Sequence, residues 1–290
     1  MRYHHVDVFT RMPYSGNSLA VFPDASGLDG AQMARITKEL RHFESIFLEP
    51  GTDRRTYRAR VFDLIEELDF AGHPVIGAAC VAHHLTGDSA AERWTIRLPA
   101  RTVTAMTTRR GPGHYLAVLD QGGAEFLGAP AESRRAEIAS WFSLSEAELD
   151  PMLTPEVVST GLRYLIVPVA HEALARAHIA PPDLDAKLAE LDAQFAYVLD
   201  AAALEGRHWN NDGLVEDVAT GSAAGCVGAY LRRHGRVGDG ETVTLHQGRF
   251  TGRPSEITVR AHGSGTSVGS VEVGGDVVLV GTGTLDRVPS

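Results

Sequence analysis

The fold is decided by one stretch of the sequence, Phe70-Ala71-Gly72-His73-Pro74-Val75-Ile76-Gly77-Ala78-Ala79-Cys80-Val81-Ala82. Pro74 suits the first turn of a helix, where its missing N–H costs no hydrogen bond. The residues that follow are small and apolar all round, and a helix without a polar face must be buried on every side. The stretch therefore predicts a helix at the centre of a domain, with other elements packed around it.

A second stretch of this kind lies in the other half of the chain. It reads Glu216-Asp217-Val218-Ala219-Thr220-Gly221-Ser222-Ala223-Ala224-Gly225-Cys226-Val227-Gly228-Ala229-Tyr230-Leu231. Both stretches are followed by His or Arg side chains and then by Gly87 or Gly235, which is typical of helix ends. Short β-type runs lie around each. We therefore predict an α+β fold of two similar domains, each a β-barrel wrapped around a central α-helix.

The domain boundaries are placed from the turns between these elements. We expect an N-terminal barrel domain over 1–122 that also takes a C-terminal strand at about 276–290. The C-terminal barrel domain would then span 123–275. A Gly/Pro-rich stretch near 122–130 is the expected linker, and the pattern after it predicts a helix over 133–149.

Composition and charge exclude several classes of function. The 290 residues are 43% hydrophobic and 22% charged, as in an ordinary globular protein, and the net charge is −10. An acidic chain without a basic stripe repels phosphate backbones, so no nucleic-acid partner is expected. No apolar stretch approaches the roughly 20 residues of a membrane span, and the first ten residues lack the apolar core of a signal peptide. With two cysteines far apart in the sequence, we expect a cytoplasmic protein without disulfides.

The sequence carries no metal or cofactor motif. His4 and His5 would point to opposite faces of a strand, and His83 and His84 lack the i, i+4 spacing of a ligand pair on a helix. Cys-x-x-Cys, a phosphate-binding loop and a well-placed Gly-x-Gly-x-x-Gly are absent from the sequence. We therefore expect neither a metal site nor a cofactor.

The two helix starts are candidate anion sites. Free N–H groups and the positive end of the helix dipole lie there, which suits a small carboxylate. One start is Gly72-His73-Pro74 and the other is Thr220-Gly221-Ser222, and both glycines would permit close backbone approach. The alternative is that these residues only cap the helices and pack tightly.

Glu44 is the candidate acid/base. It lies between a helix end and an apolar strand, flanked by Phe43 and Ile46, and partial desolvation there would raise the pKa of a carboxyl group. The alternative is a surface glutamate in a loop. His73 and Asp217 would either satisfy local turns or hold the substrate and pass a proton.

Together these stretches resemble the PhzF-like family, named for the phenazine-biosynthesis isomerase, within the diaminopimelate epimerase fold. The resemblance rests on five motifs in order over nearly the whole chain. They are Val6-Asp7-Val8-Phe9 with Pro13 and Gly16-Asn17-Ser18-Leu19-Ala20-Val21, then Phe43-Glu44-Ser45-Ile46-Phe47, Glu67-Leu68-Asp69-Phe70-Ala71-Gly72-His73-Pro74, Val215-Glu216-Asp217-Val218-Ala219-Thr220-Gly221-Ser222-Ala223, and Gln247-Gly248 with Gly252-Arg253-Pro254-Ser255.

The resemblance implies two barrel domains with the active site between them, a homodimer and no cofactor. The family's acid/base glutamate matches Glu44, its histidine His73 and its aspartate Asp217. The expected substrate-binding residues are Gly16, Asn17, Gly72, Thr220, Gly221, Ser222 and Trp209.

This chain departs from the family pattern at positions expected to line the pocket. Phe43 stands where members often have Ser, and Phe62-Asp63-Leu64 replaces Phe-Thr-Pro. The segment Arg207-His208-Trp209-Asn210-Asn211 replaces Arg-x-Phe-x-Pro. Trp209 suggests an apolar or planar portion of the substrate, or else a core tryptophan.

The expected activity is isomerisation without a cofactor. Glu44 would move a proton, and with it a double bond, on a small cyclic or conjugated carboxylate, such as a pyrroline or cyclohexadiene carboxylate of secondary-metabolite (antibiotic) biosynthesis. One alternative is an epimerase or racemase of a small amino acid. Cys226 lies inside a helix rather than at its start, which disfavours two-thiol chemistry. The other alternative is a non-catalytic ligand-binding protein.

Overall fold

The computed structural model describes residues 1–87 and 89–289. The chain divides into two compact units. The first unit comprises 1–120 with 274–290, and the second comprises 121–273. The C-terminal strand expected at about 276–290 corresponds to a longer strand, Ser267–Thr284, and Ser290 lies outside the described residues.

The first unit is a barrel with one helix inside. Its elements are β1 (Arg2–Val8), β2 (Asn17–Phe22), α1 (Gly30–Leu40), β3 (Glu44–Pro50), β4 (Thr56–Asp63), β5 (Glu67–Leu68), α2 (Gly72–Thr86), β6 (Ala91–Arg97), β7 (Thr102–Gly111) and β8 (His114–Asp120). The chain's last strand, Ser267–Thr284, also contributes and is numbered β16 below. In the described part of the chain, β1, β2, β3, β4, β6, β7, β8 and β16 pair in that order, and β16 pairs back to β1, which closes an eight-stranded barrel.

Helix α2 occupies the interior of this barrel. It contacts β1, β2, β3, β6, β7 and β8, and its residues from Gly72 to His83 are all buried. A Cβ at Gly77 would lie 2.5 Å from Cδ2 of Leu19 on β2, so only glycine lets this strand approach so closely. The helix ends at Gly87, whose left-handed backbone (φ 74°) directs its N–H to the His83 carbonyl, as the sequence predicted.

The second unit is built in the same way. Its elements are β9 (Glu125–Gly128), α3 (Arg135–Trp141), β10 (Glu156–Ser159), β11 (Arg163–Pro168), α4 (Leu184–Ala189), β12 (Phe195–Asp200), β13 (Glu205–Arg207), α5 (Gly221–Arg233), β14 (Thr242–Gln247), β15 (Ser255–Ser264) and the first part of β16. The strands pair in the order β16, β15, β14, β13, β12, β11, β10, β9. Just before β9, the N–H groups of Gln121 and Ala124 donate to the carbonyls of Val271 and Val268 on β16.

Helix α5 is the buried helix of this unit. It contacts β10, β11 and β15, and Gly221 to Leu231 are all buried. A Cβ at Gly228 would overlap Val259 on β15, so this glycine also permits a close approach of helix and strand.

The order of strand pairings repeats between the units. From β1 to β7, leaving out β5, the pairs run antiparallel, parallel, antiparallel, parallel, antiparallel, and β10 to β15 show the same series. The buried helix enters before the second parallel partner in each unit, as α2 before β6 and as α5 before β14. The predicted α+β fold, with strands wrapped around a central helix, is confirmed.

Two local predictions need correction. The expected linker at 122–130 contains strand β9, which pairs with β10. The helix expected over 133–149 is broken: Ser143 has a positive φ of 58°, and Ser145 starts a separate 3₁₀ turn in which it forms a capping box with Glu148. Within 1–87 and 89–289, no helix has the length and apolar character needed to cross a membrane.

Candidate active site

Glu44 and His73 lie next to each other in the first unit. Glu44 begins β3, directly opposite Leu19 of the parallel strand β2, so both side chains point to the barrel face that holds α2. His73 lies in the first turn of α2. Its Nδ1 is 3.5 Å from Oε2 of Glu44, and only 8% of Glu44 and 4% of His73 is exposed. A carboxylate and an imidazole this close can share a proton, as acid/base catalysis requires.

Gly16 and Asn17 belong to the same end of this barrel. Asn17 is buried, begins β2 and lies two residues before Leu19, so it shares the face of Glu44. The turn before it is held by Asp7, whose carboxylate accepts from the Tyr14 N–H at 2.6 Å. Gly16 has φ 65°, and a Cβ there would collide with the backbone of β1, so the turn requires glycine.

Asp217 and Thr220 form a hydrogen-bonded turn before α5 in the second unit. The Thr220 hydroxyl donates to Oδ2 of Asp217 at 2.6 Å, and the Ala219 N–H reaches Oδ1 at 3.4 Å. Asp217 thus accepts hydrogen bonds from the residues that lead into the helix. This is the local turn role that the sequence offered as one of two interpretations of Asp217. Its exposed fraction is 6%.

Neither buried helix is capped by a side chain at its N-terminus. Ala71 and Thr220 occupy the N-cap positions of α2 and α5, and neither side chain bonds a first-turn N–H. At the start of α5, Oγ of Ser222 is 2.8 Å from the Tyr164 hydroxyl, and the Gly221 carbonyl accepts from Nε2 of Gln121 at 3.0 Å. Such helix starts offer N–H groups and positive potential to an anion.

Gln247 is a site residue to which the sequence analysis gave no role. Its Oε1 accepts from the Tyr197 hydroxyl (3.0 Å) and from the Thr220 N–H (3.1 Å). Its Nε2 donates to the Asp217 carbonyl (2.9 Å) and to Oγ1 of Thr220 (3.0 Å). All four hydrogen-bonding positions of the amide are therefore used, and they fix the turn from Asp217 to Thr220. The sequence does indicate the position of Gln247. It follows Val243 and Leu245 at alternate positions of one strand, so its polar side chain lies on the inward face.

Trp209 lies in the hydrophobic core of the second unit. It is 6% exposed and packs in a cluster with Trp141 and Phe142. The Arg207 guanidinium lies 4.4 Å from the centre of its ring. In the segment 207–211, His208 is the residue whose side chain lies on the same face as that of Asp217.

The two thiols are buried within the central helices. Burial raises the pKa of Cys226 to about 12 and raises the pKa of Cys80 well above its ordinary value. The thiolate is the form that abstracts a proton, so neither cysteine is suited to the two-thiol chemistry of an epimerase. The described residues contain no group of three or more His, Cys, Asp or Glu side chains placed to hold a metal ion.

Comparison with known proteins gives the family. A model of the phenazine biosynthesis-like proteins (PhzC-PhzF) matches residues 6–283. The chain belongs to this family. The trans-2,3-dihydro-3-hydroxyanthranilate isomerase of Pseudomonas fluorescens is 32% identical to this family member, over 97% of each chain. Curated relatives of this PhzF-type protein are isomerases, and it is an isomerase as well.

Solved structures agree with the fold. A structure from Pseudomonas aeruginosa described as a predicted epimerase is 50% identical, with a TM-score of 0.93 and 99% of both chains covered. A hydroxyproline epimerase from Agrobacterium vitis is 16% identical, with a TM-score of 0.61 over 98% of this chain and 91% of that one. The second likeness concerns the fold alone.

Proposed function

We propose that this PhzF-type isomerase moves a proton between two carbons of a small cyclic or conjugated carboxylate, with Glu44 as the acid/base. The observation that carries the proposal is the buried pair of Glu44 and His73, 3.5 Å apart at the start of the central helix. The isomerase names of its relatives support the class of reaction.

The substrate is proposed from the same relatives. The named substrate of the Pseudomonas enzymes, trans-2,3-dihydro-3-hydroxyanthranilate, is a ring that carries a carboxylate, an amino group and a hydroxyl group. We propose a substrate of this kind for the present protein, in the biosynthesis of a secondary metabolite. Phe43, with the segment 207–211 that departs from the family pattern, would adapt the pocket to its own ring.

The reaction is balanced within the substrate. The Glu44 carboxylate takes a proton from one ring carbon, and the electron pair of that C–H bond forms a new double bond within the conjugated system. The carboxyl proton of Glu44 exchanges with solvent, and protonated Glu44 then gives a proton to a different carbon, where the old double bond opens. One carboxyl group suffices, and His73 stabilises its charged form before the first step and after the second.

The substrate carboxylate needs binding groups of its own. We propose the backbone N–H groups at the starts of α2 (Gly72) and α5 (Gly221), together with the side chains of Thr220 and Ser222, because neither helix start has a side-chain cap. Gly16 and Asn17 would contact the substrate from the β1–β2 turn, and Asp217 would act at the turn that Gln247 holds. As the family resemblance implies, we also expect a homodimer, which light scattering after gel filtration would test.

The proposal is tested by NMR with trans-2,3-dihydro-3-hydroxyanthranilate in D₂O. We expect a product with a shifted double bond and deuterium at the newly protonated carbon. The structure of 50% identity described as a predicted epimerase favours one rival. Epimerisation would exchange deuterium at a single carbon, invert that carbon and leave the double bonds in place. If the ring compound binds without any change in its spectrum, it is not converted by this protein and the proposal is wrong.

A further inference from the structure

His208 lies on the same face of its segment as Asp217. It follows β13, where Trp209 and Glu216 form an antiparallel bridge. Side chains alternate along each side of such a pair, so Arg207, Trp209 and Glu216 share one face. The bidentate bond of Arg207 to Glu216 (2.9 and 2.7 Å) agrees with this placement. His208 and Asp217 therefore share the opposite face, and the Asp217 N–H donates to the His208 carbonyl at 2.9 Å.

The orientation of the His208 ring is fixed. Nδ1 is 2.9 Å from the Ala196 carbonyl oxygen, and because a carbonyl only accepts, Nδ1 carries the hydrogen and donates it. Tyr164 and Phe195 contact the ring edge to face, with centroids 5.6 and 5.8 Å away. The side chain is held by one hydrogen bond and two aromatic contacts.

This orientation leaves the other ring nitrogen as an acceptor. Nε2 has no hydrogen-bond partner within residues 1–87 and 89–289, although 93% of His208 is buried (7% exposed). Burial lowers the pKa of His208, an effect that Asp217 opposes in part, so the ring is mainly neutral near pH 7. Nε2 itself is not fully enclosed, and a ligand that covers it without donating a hydrogen bond leaves it unsatisfied at a cost.

His208 also lies close to the start of α5. Tyr164, which packs against the His208 ring, bonds through its hydroxyl to Ser222 in the first turn of that helix. If the substrate carboxylate binds at this helix start, the ligand group nearest to Nε2 is the one next to the carboxylate. In the ring substrates considered above, that group is the amino group.

We propose that Nε2 of His208 accepts a hydrogen bond from an N–H or O–H donor beside the substrate carboxylate, so that His208 determines specificity. This inference rests on the proposed function, because it takes a ring carboxylate as the ligand. The expected donor is the amino group, with the ring hydroxyl as the second source of the same chemistry.

The test measures binding of aromatic analogues by isothermal titration calorimetry. 3-Hydroxyanthranilate carries the carboxylate, amino group and hydroxyl group, 3-hydroxybenzoate lacks the amino group, and anthranilate lacks the hydroxyl group. Leaving a buried acceptor unsatisfied costs about 1–3 kcal/mol, so we expect the wild-type protein to bind 3-hydroxyanthranilate about 5- to 100-fold more tightly than 3-hydroxybenzoate.

Variants at His208 assign this preference to the ring nitrogen. His208→Phe and His208→Met remove the acceptor in two different shapes, and the preference for the amino compound should then fall to about twofold or less. His208→Gln offers an amide oxygen and should restore part of it. Circular dichroism and thermal unfolding show which variants are folded.

The outcomes separate this inference from the proposed function. The inference holds if the folded His208→Phe and His208→Met variants lose the preference for 3-hydroxyanthranilate over one of the two other analogues. Loss of the preference over 3-hydroxybenzoate identifies the amino group as the donor, and loss of the preference over anthranilate identifies the hydroxyl group. If 3-hydroxyanthranilate binds and the folded variants keep the wild-type preference, the role of His208 is refuted while the proposed function stands. If the wild-type protein binds none of the analogues, the proposed ring substrate is wrong, and this inference fails with it.

Discussion

Replacing Gln247 with leucine tests whether one amide holds the turn before α5. Gln247 is 1% exposed and makes four hydrogen bonds, so the variant keeps a similar volume but removes every polar contact. Three buried groups lose the hydrogen bond that Gln247 makes with them: the Tyr197 hydroxyl, the Thr220 N–H and the Asp217 carbonyl. The Thr220 hydroxyl keeps its bond to Asp217.

The expected loss follows from these three groups. Each such loss in the interior costs about 1–3 kcal/mol, so the free energy of unfolding should fall by about 3–9 kcal/mol. Tyr197→Phe is the graded control, because it removes only the bond from the hydroxyl to Gln247 and should cost about 0.5–1.5 kcal/mol. Urea unfolding followed by circular dichroism measures both variants.

The same variant also tests the link to function. If the turn positions Asp217 and Thr220 for the substrate, Gln247→Leu should weaken binding of 3-hydroxyanthranilate in the fraction that remains folded, while Tyr197→Phe should change it little. A loss of stability below about 1 kcal/mol for Gln247→Leu, or one no larger than that of Tyr197→Phe, would refute the reasoning.

Three further predictions concern the buried cores. Gly77→Ala should destabilise the protein by about 1–2 kcal/mol despite the better helix propensity of alanine, because the new methyl group meets Leu19; a rise in the melting temperature would contradict the close-packing argument. Iodoacetamide should leave Cys80 and Cys226 unmodified in the folded protein and modify both in urea, since burial raises the pKa of each thiol; alkylation that stops turnover of the folded enzyme would revive thiol chemistry. Burial lowers the pKa of His4 from 6.5, so the unfolded chain binds more protons and stability should fall as the pH drops below about 6.5. His4→Leu should flatten that dependence and stabilise the protein by about 1–3 kcal/mol, because neither ring nitrogen of His4 has a hydrogen-bond partner among the described residues; an unchanged pH profile would show that other groups dominate it.

The central helices could be predicted from the sequence because their composition leaves no other solution. A run of small apolar residues that ends in His or Arg side chains and a glycine determines type, burial and the C-terminal end, and Pro74 also marks the start of α2. The observed bounds, Gly72–Thr86 and Gly221–Arg233, agree with that interpretation. The prediction of one helix over 133–149 was wrong because it rested only on the spacing of apolar residues. The capping box of Ser145 and Glu148 starts a new turn, and this signal was present in the sequence.

The site was predictable only where a residue has a distinctive local setting. Glu44 and His73 were named from separate motifs, and the structure brings them together because β3 begins beside the first turn of α2. The contacts of Gln247 and His208 join residues that are distant in the sequence, such as Tyr197 with Gln247 and Ala196 with His208. Such contacts depend on strand pairing, which residue spacing does not reveal.

The most direct test of the central claim is deuterium incorporation by Glu44→Gln. The amide keeps the size of the side chain but cannot exchange a proton with carbon. Glu49→Gln is the matched control, because Glu49 lies on the same strand and its side chain is 31% exposed beside Arg58.

With trans-2,3-dihydro-3-hydroxyanthranilate in D₂O, the Glu44 variant should lose about 10²- to 10⁴-fold in the rate of deuterium incorporation, and binding of 3-hydroxyanthranilate should stay near the wild-type value. The Glu49 variant should behave as the wild type. If Glu44→Gln incorporates deuterium at the wild-type rate, another group moves the proton and the account is wrong.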